Sequence, residues 1–286
     1  MDIGIGIPNS VRGTTGRQLL DWARRADAAG FSSLGTIGRV AYPSYEELTV
    51  FAAAGAVTER IRFLSNVLIA PARSTAELAK QAGTVQELTG GRLTLGLSVG
   101  GREDDYRLTG RDFAARGRAF DQQLADLHRA FAGEPLAEGT APVVPDGTDP
   151  VPILIGGTTE AAIRRTVEFG AGWTSGGVPA QIMAPFVERV RAAWRDAGRD
   201  GSPRIAALNY FSLGDTEEQS RGYLLDYYGF LGPDTSEMIA GGALRSPESI
   251  KEAIAAFEAA GVDELILDPT VGDPAQVDLL ARVALG

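Results

Sequence analysis

A chain of 286 residues, 44% hydrophobic and 22% charged, is long enough to bury a large core, and barrels of alternating strands and helices reach this length as one domain. Its formal net charge of −10 repels phosphate backbones and argues against a nucleic-acid partner. Cysteine is absent and His128 is the only histidine, which excludes disulfides, thiolate catalysis and sulfur-ligated metals, and no metal site is expected.

No apolar run approaches the ~20 residues of a membrane helix, and the opening MDIGIGIPNS lacks the regions of a signal peptide, so a cytoplasmic protein is expected. In chain order, DIGIGIP (2–8) reads as a buried strand, and residues 15–30 as a helix with Leu19, Trp22, Ala23 and Ala26 on one face and Gly30 as its stop. FSSLGTIG is a second strand. The helix after it is expected to open with Ser44 and Glu47 in a capping box. RIRFLSNVLIAP is a third strand, followed by a helix. RLTLGLSVGG is a fourth strand, and FAARGRAFDQQLADLHRAFAG the next helix. Residues 133–151 and 230–247 read as surface excursions. The second half repeats the rhythm with VPILIGG, AGWTSGG, PRIAALNYFSLG and VDELILDPT, each followed by a helix. Eight strand-like runs separated by helices favour a single α/β domain over residues 1–286, a (β/α)8 TIM barrel, over a doubly wound sheet. In such a barrel the functional residues sit in the loops after the strands.

One of these loops joins Gly156 and Gly157 to a helix start. Bare backbone N–H groups at a helix N-terminus form an anion site, to which the hydroxyls of Thr158 and Thr159 can add. The alternative is a tight turn in which Thr158 caps the helix. GGTTEA is not the G-x-G-x-x-G dinucleotide fingerprint, and no Walker sequence is present.

The segment from Arg60 to Gly110, the opening strand and AFEAAGVDELILDPT together resemble, in order and spacing, the luciferase-like flavin- and deazaflavin-dependent oxidoreductases. The resemblance spans essentially the whole chain and implies a bacterial-luciferase-like barrel holding FMN or the deazaflavin coenzyme F-420 at the C-terminal ends of its strands. It also implies a cis peptide at Asn66–Val67 backing the cofactor ring. Gly100 and Gly101 match a glycine-rich loop that lets the cofactor approach. Gly156, Gly157 and Thr158 match the phosphate site, with Ser175 and Gly176 beside it.

The chain departs from the family where deazaflavin-dependent relatives often carry an acidic residue and then histidine. TIGRV here supplies Gly38 and Arg39. Arg39 is a poor general acid but can stabilise an anion. Tyr42, Tyr45 and Glu103 become the alternative proton donors. Asp104 and Asp105 read as a solvated loop face, His128 as structural and Trp173 as packing. Arg164 and Arg165 either favour the cofactor phosphate or are ordinary helix residues. Asn209, Tyr210 and Ser212 end the seventh strand, where a substrate pocket would open, and Asp268 and Thr270 follow the eighth.

The function expected is hydride transfer between coenzyme F-420 and a small organic substrate. An FMN-dependent monooxygenase is the first alternative, and a non-catalytic cofactor- or metabolite-binding barrel is an alternative of another class. The resemblance further implies a homodimer. The absence of a nicotinamide-binding motif points to a separate reductase supplying the reduced cofactor.

Overall fold

The computed structural model describes all 286 residues. Nine parallel strands form eight staves: β1 (Asp2–Gly6), β2 (Ser33–Thr36), β3 (Arg62–Ser65) with β4 (Leu68–Ile69), β5 (Leu93–Ser98), β6 (Ile153–Gly156), β7 (Gly172–Thr174), β8 (Arg204–Phe211) and β9 (Glu264–Pro269). Pairing β1 to β9 and β3 to β5 closes the sheet, so the barrel expectation holds and the doubly wound alternative falls. The third stave is in two pieces, with the Asn66–Val67 peptide between them in the cis form.

The helices are α1 (Gly16–Ala29), α2 (Glu47–Gly55), α3 (Thr75–Leu88), α4 (Glu103–Thr109), α5 (Arg116–Phe131), α6 (Glu160–Phe169), α7 (Ala180–Asp196), α8 (Glu217–Tyr228), α9 (Pro233–Gly241), α10 (Pro247–Ala259) and α11 (Ala275–Ala284). The face of α1 read from the sequence is the face it buries, with Thr15 and Gly30 as its caps. None of the helices is long and apolar enough to cross a membrane.

Three expectations are corrected here. The cap of α2 is Glu46, whose carboxylate accepts from the Thr49 amide, while Glu47 turns into the protein instead of reaching back to Ser44. Residues 103–109 form α4, a helix absent from the sequence reading, because three acids in a row carry no apolar period. Residues 230–247 hold α9, which packs on α8.

Side chains two residues apart on a strand share a face, and on β9 this puts Glu264, Ile266 and Asp268 in one inward column. Glu264 sits at the N-terminal floor of the barrel. Ile266 packs with Leu64, Leu154 and Ala206 in the middle layer. It fills the space that Cβ atoms at Gly4 and Gly35 would enter, each at 2.5 Å from it. Asp268 lies above Gly6 at the C-terminal mouth, its Oδ1 2.0 Å from where a Cβ on Gly6 would stand. The glycines of β1 and β2 therefore give β9 the width of the barrel.

Candidate active site

The loops after β6 and β7 carry the glycine pairs. The two strands are in register, Gly156 opposite Thr174, so the following residues lie side by side. Gly156 is crowded: a Cβ there would meet Val67 Cγ1 at 3.1 Å and Ser98 Cβ at 3.3 Å. Gly157 takes φ +110°, a conformation L side chains rarely adopt. Beyond it the chain enters α6, and the amides of Gly157 and Thr158 donate to no other group in the chain. The amides of Gly176 and Gly177 are equally free, and a Cβ at Gly176 would meet nothing within 4 Å. The helix cap is Thr159, which accepts from the Ala162 amide, and not Thr158 as one sequence reading had it. Thr158 is exposed.

Fully buried Trp173 packs on Phe186, ring centroids 5.0 Å apart, as expected, and its indole N–H also donates to Gly157 O at 2.8 Å, which holds the loop. A single Trp between glycines gave no sign of that bond in the sequence. Arg164 and Arg165 are withdrawn from any phosphate role, because both pair with Asp121 on α5, at 3.1 and 2.7 Å. His128 is structural, its Nε2–H donating to Phe169 O at 2.8 Å.

Asn66 ties the third stave across to β7. Its side-chain amide donates to Ser175 O at 3.4 Å, and its Oδ1 accepts from Thr174 at 2.9 Å. The Asn66 amide donates to Thr36 O at 2.7 Å, which joins the same bulge to the end of β2. Gly100, at φ +64°, lies over Ile69, whereas Gly101 faces open space. The residues matched to ring and phosphate thus lie along one rim, from β2 through β3/β4, β5 and β6 to β7.

The residues read for proton transfer do not converge in that way. Arg39 is half-buried with its side chain 8% exposed, donates to Tyr227 O at 2.8 Å and to Asp104 at 3.2 Å, and is packed among the rings of Tyr42, Phe230 and Tyr227. The Tyr42 hydroxyl donates to Asp226 at 2.6 Å, and burial and that carboxylate push it up to about 12. It borders a depression against α8 that also contains Arg12, Tyr223 and Thr270. Tyr45 donates to Thr14 O. Glu103 is exposed in the first turn of α4 and makes no hydrogen bond to the rim residues. Asp105 is not a solvated loop residue. It is 1% exposed, pairs with Arg102 at 2.9 Å and accepts from the Ala41 amide.

Above these residues α8 and the turn after it form a cover. Tyr228 shares a hydroxyl–hydroxyl bond with Tyr210 at the end of β8, and Phe230 lies over both Arg39 and Arg102 at 5.1 Å. Beneath the cover, Asn9 Oδ1, Thr36 Oγ1, Ser212 Oγ and Asp268 Oδ1 are buried without partners. Thr270, by contrast, is bonded to Phe211 O and Ser220. Burial alone pushes Asp268 well above the carboxylate range. Buried polar atoms without partners are scarce in folded proteins, and these lie at the same C-terminal end of the barrel as the four free amides.

The luciferase-like monooxygenase family model matches residues 1–284, and the chain belongs to that family. An uncharacterised protein of Mycobacterium tuberculosis is 31% identical over 254 residues, 76% of this chain and 88% of its own. The fold matches an F-420-dependent secondary alcohol dehydrogenase solved with an F-420–acetone adduct (TM-score 0.81, 16% identity, 99% and 98% of the two chains). It also matches the oxygenating constituent of a 3,6-diketocamphane monooxygenase of Pseudomonas putida solved with FMN (TM-score 0.75, 18% identity, 99% and 97%).

Proposed function

We propose that this protein is an oxidoreductase that uses coenzyme F-420 for hydride transfer to or from a small organic substrate. The observation that carries the reading is the set of free amides at the adjoining ends of β6 and β7, at the start of a helix, in a barrel of this family. Two phosphate oxygens need several donors, and Gly157, Thr158, Gly176 and Gly177 offer four amides with no competing partner. The Thr158 hydroxyl adds to them, whereas buried Ser175 donates its hydroxyl to Gly176 O at 3.1 Å and shapes the loop. The ring would rest against Asn66 and Val67, with Gly100 and Gly101 leaving room at its edge. The cofactor supplies the hydride when bound. The protein supplies position, a mouth covered by α8, and a proton.

The likeness to a diketocamphane monooxygenase that binds FMN supports a second reading, an FMN-dependent monooxygenase. A titration decides between them. Protein mixed with each oxidised cofactor should bind the deazaflavin at least tenfold more tightly than FMN, read by absorbance and fluorescence. Tighter FMN binding, with oxygen consumed on reduction, would overturn the first reading in favour of the second. In either case the reduced cofactor would come from a separate reductase, and a homodimer is the assembly we expect.

A further inference from the structure

Gly38 lies two residues beyond β2, on the rim where the loops after β3 and β5 meet it. Arg102 donates to Gly38 O at 2.8 Å, and the neighbouring Thr36 O accepts the Asn66 amide. A Cβ at position 38 would stand 1.5 Å from Glu47 Oε1 and 2.7 Å from its Cδ. The carboxyl of Glu47 therefore occupies the space a side chain at 38 would fill. We propose that Glu47 is the proton donor of this barrel, a carboxyl brought to the rim of β2 from the first turn of α2 rather than from the β2 loop itself. The inference rests on the hydride-transfer reading above.

The first turn of a helix is normally a solvated place for a glutamate, where it can cap or meet the dipole. Glu47 does neither. Glu46 caps the helix, and Glu47 is 4% exposed, with Arg73 at 2.7 Å as its ion-pair partner. Burial pushes Glu47 up to about 7, against the opposing pull of Arg73. An acid with that value is partly protonated at neutral pH, which is the range in which a general acid works. The charged and titratable groups facing it are Arg73 from the turn after β4, Glu46 on its own helix and Tyr227 from α8. Arg102 and Arg39 lie further along the rim. With the cofactor bound to supply the hydride, a carbonyl substrate would open its C=O π bond onto oxygen, and Glu47 would break its O–H bond to give that oxygen the proton, leaving the Glu47 carboxylate. The resulting carboxylate stays beside Arg73 until solvent returns a proton.

The test uses the whole protein with carboxyl-carbon-13 glutamate. One resonance should titrate near pH 7, vanish in Glu47→Gln, and move when oxidised coenzyme F-420 is added. Glu47→Gln should bind the coenzyme within twofold of wild type, yet lose about 10²–10⁴-fold in turnover of reduced coenzyme with a panel of ketones, enones and imines. Gly38→Asp combined with Glu47→Ala returns a carboxyl to the same space and should recover at least tenfold of that loss. Gly38→Ala drives a methyl into the carboxyl and should shift the resonance, which assigns it even if Glu47→Gln does not fold. A Glu47 that titrates in the ordinary range, or that ignores bound coenzyme, overturns the proposal. So does full turnover by Glu47→Gln while wild type binds and reacts. A wild type that binds no coenzyme overturns the hydride-transfer reading, and the proposal with it.

Discussion

The two ends of β9 carry buried carboxylates in opposite condition. At the floor, Glu264 accepts from Ser33 at 2.7 Å and from Ser32, pairs with Arg204, and lies 3.5 Å from Arg62. Burial pushes it up, but Arg204 and these partners overcome that and hold it below the ordinary glutamate range. At the mouth, four residues along the same strand, Asp268 is as deeply buried and has no partner on Oδ1, so burial raises it unopposed. A fold that can satisfy a buried carboxylate so fully at one end leaves one unsatisfied at the other. In barrels of this architecture the floor is where stability is built and the mouth is where ligands bind, and the two carboxyls differ in that sense.

The largest expected effect breaks the floor. Glu264→Ala leaves Arg204 without its buried anion, and removing one partner of such a pair costs about 3–5 kcal/mol. Urea unfolding should show that loss with the mouth's affinity for cofactor unchanged. Asp268→Asn, which breaks no ion pair, should stay within about 1 kcal/mol of wild type. Equal losses from the two variants would erase the contrast.

The same contrast has a sign in pH. The folded state holds Glu264 below its unfolded value, so its contribution is present above that unfolded value and is lost as pH falls through the folded one. Asp268 and Glu47 are raised, so their contribution is present below their unfolded values and is lost as pH rises, for Glu47 through about 7. Stability measured from pH 4 to 8 should therefore flatten at the acid end in Glu264→Gln. In Glu47→Gln it should flatten between about 4.5 and 7. Parallel curves for the two variants would contradict the assigned directions.

How far the sequence foresaw this differs between the ends. Strand–helix alternation reports neighbours along the chain, and it marked every stave, the face of α1 and the glycine loops. The glycine-lined rim was legible because glycines at strand ends and a helix start are local features. The proton donor was not. Glu47 sits one residue past its helix cap and looks like half of a capping box with Ser44. Only the closed barrel brings Arg73 and the bare Gly38 against it. Tyr42, chosen for its place in the β2 loop, is taken by Asp226 from the distant α8. Asp105, in a run of acids, is buried by Arg102 and the Ala41 amide. Trp173 looked like packing and also holds Gly157. In each case the deciding partner lies on another element.

A smaller effect is expected at the mouth's anion cradle. Gly157→Asp places a carboxylate among free amides and should weaken cofactor binding at least tenfold, about 1.4 kcal/mol. Because Gly157 has φ +110°, any side chain there adds strain of about 1–2 kcal/mol. Gly157→Ala measures that strain alone. If the alanine variant loses as much affinity as the aspartate, backbone distortion and not charge explains the loss, and the phosphate assignment loses its support.

The smallest effect comes from two adjacent threonines, which repeat the contrast of β9 within a single turn of chain. Thr159 caps α6, its hydroxyl accepting from the Ala162 amide at 3.3 Å. Thr158 is exposed, next to two free amides. Valine keeps the shape of threonine and deletes the hydroxyl. Thr159→Val should therefore lower stability by about 1 kcal/mol, the ordinary worth of an N-cap. Thr158→Val should leave stability within about 0.5 kcal/mol, since nothing in the fold uses its hydroxyl. If that hydroxyl donates to a cofactor phosphate, its loss should cost about 1 kcal/mol, a roughly fivefold weaker titration. Its effect on binding should exceed that of Thr159→Val. The comparison needs only unfolding curves and a cofactor titration on the same two variants. The reverse outcome, with Thr158→Val destabilising the fold and Thr159→Val weakening the cofactor, would place the anion one residue further along and move the cradle into the first turn of α6.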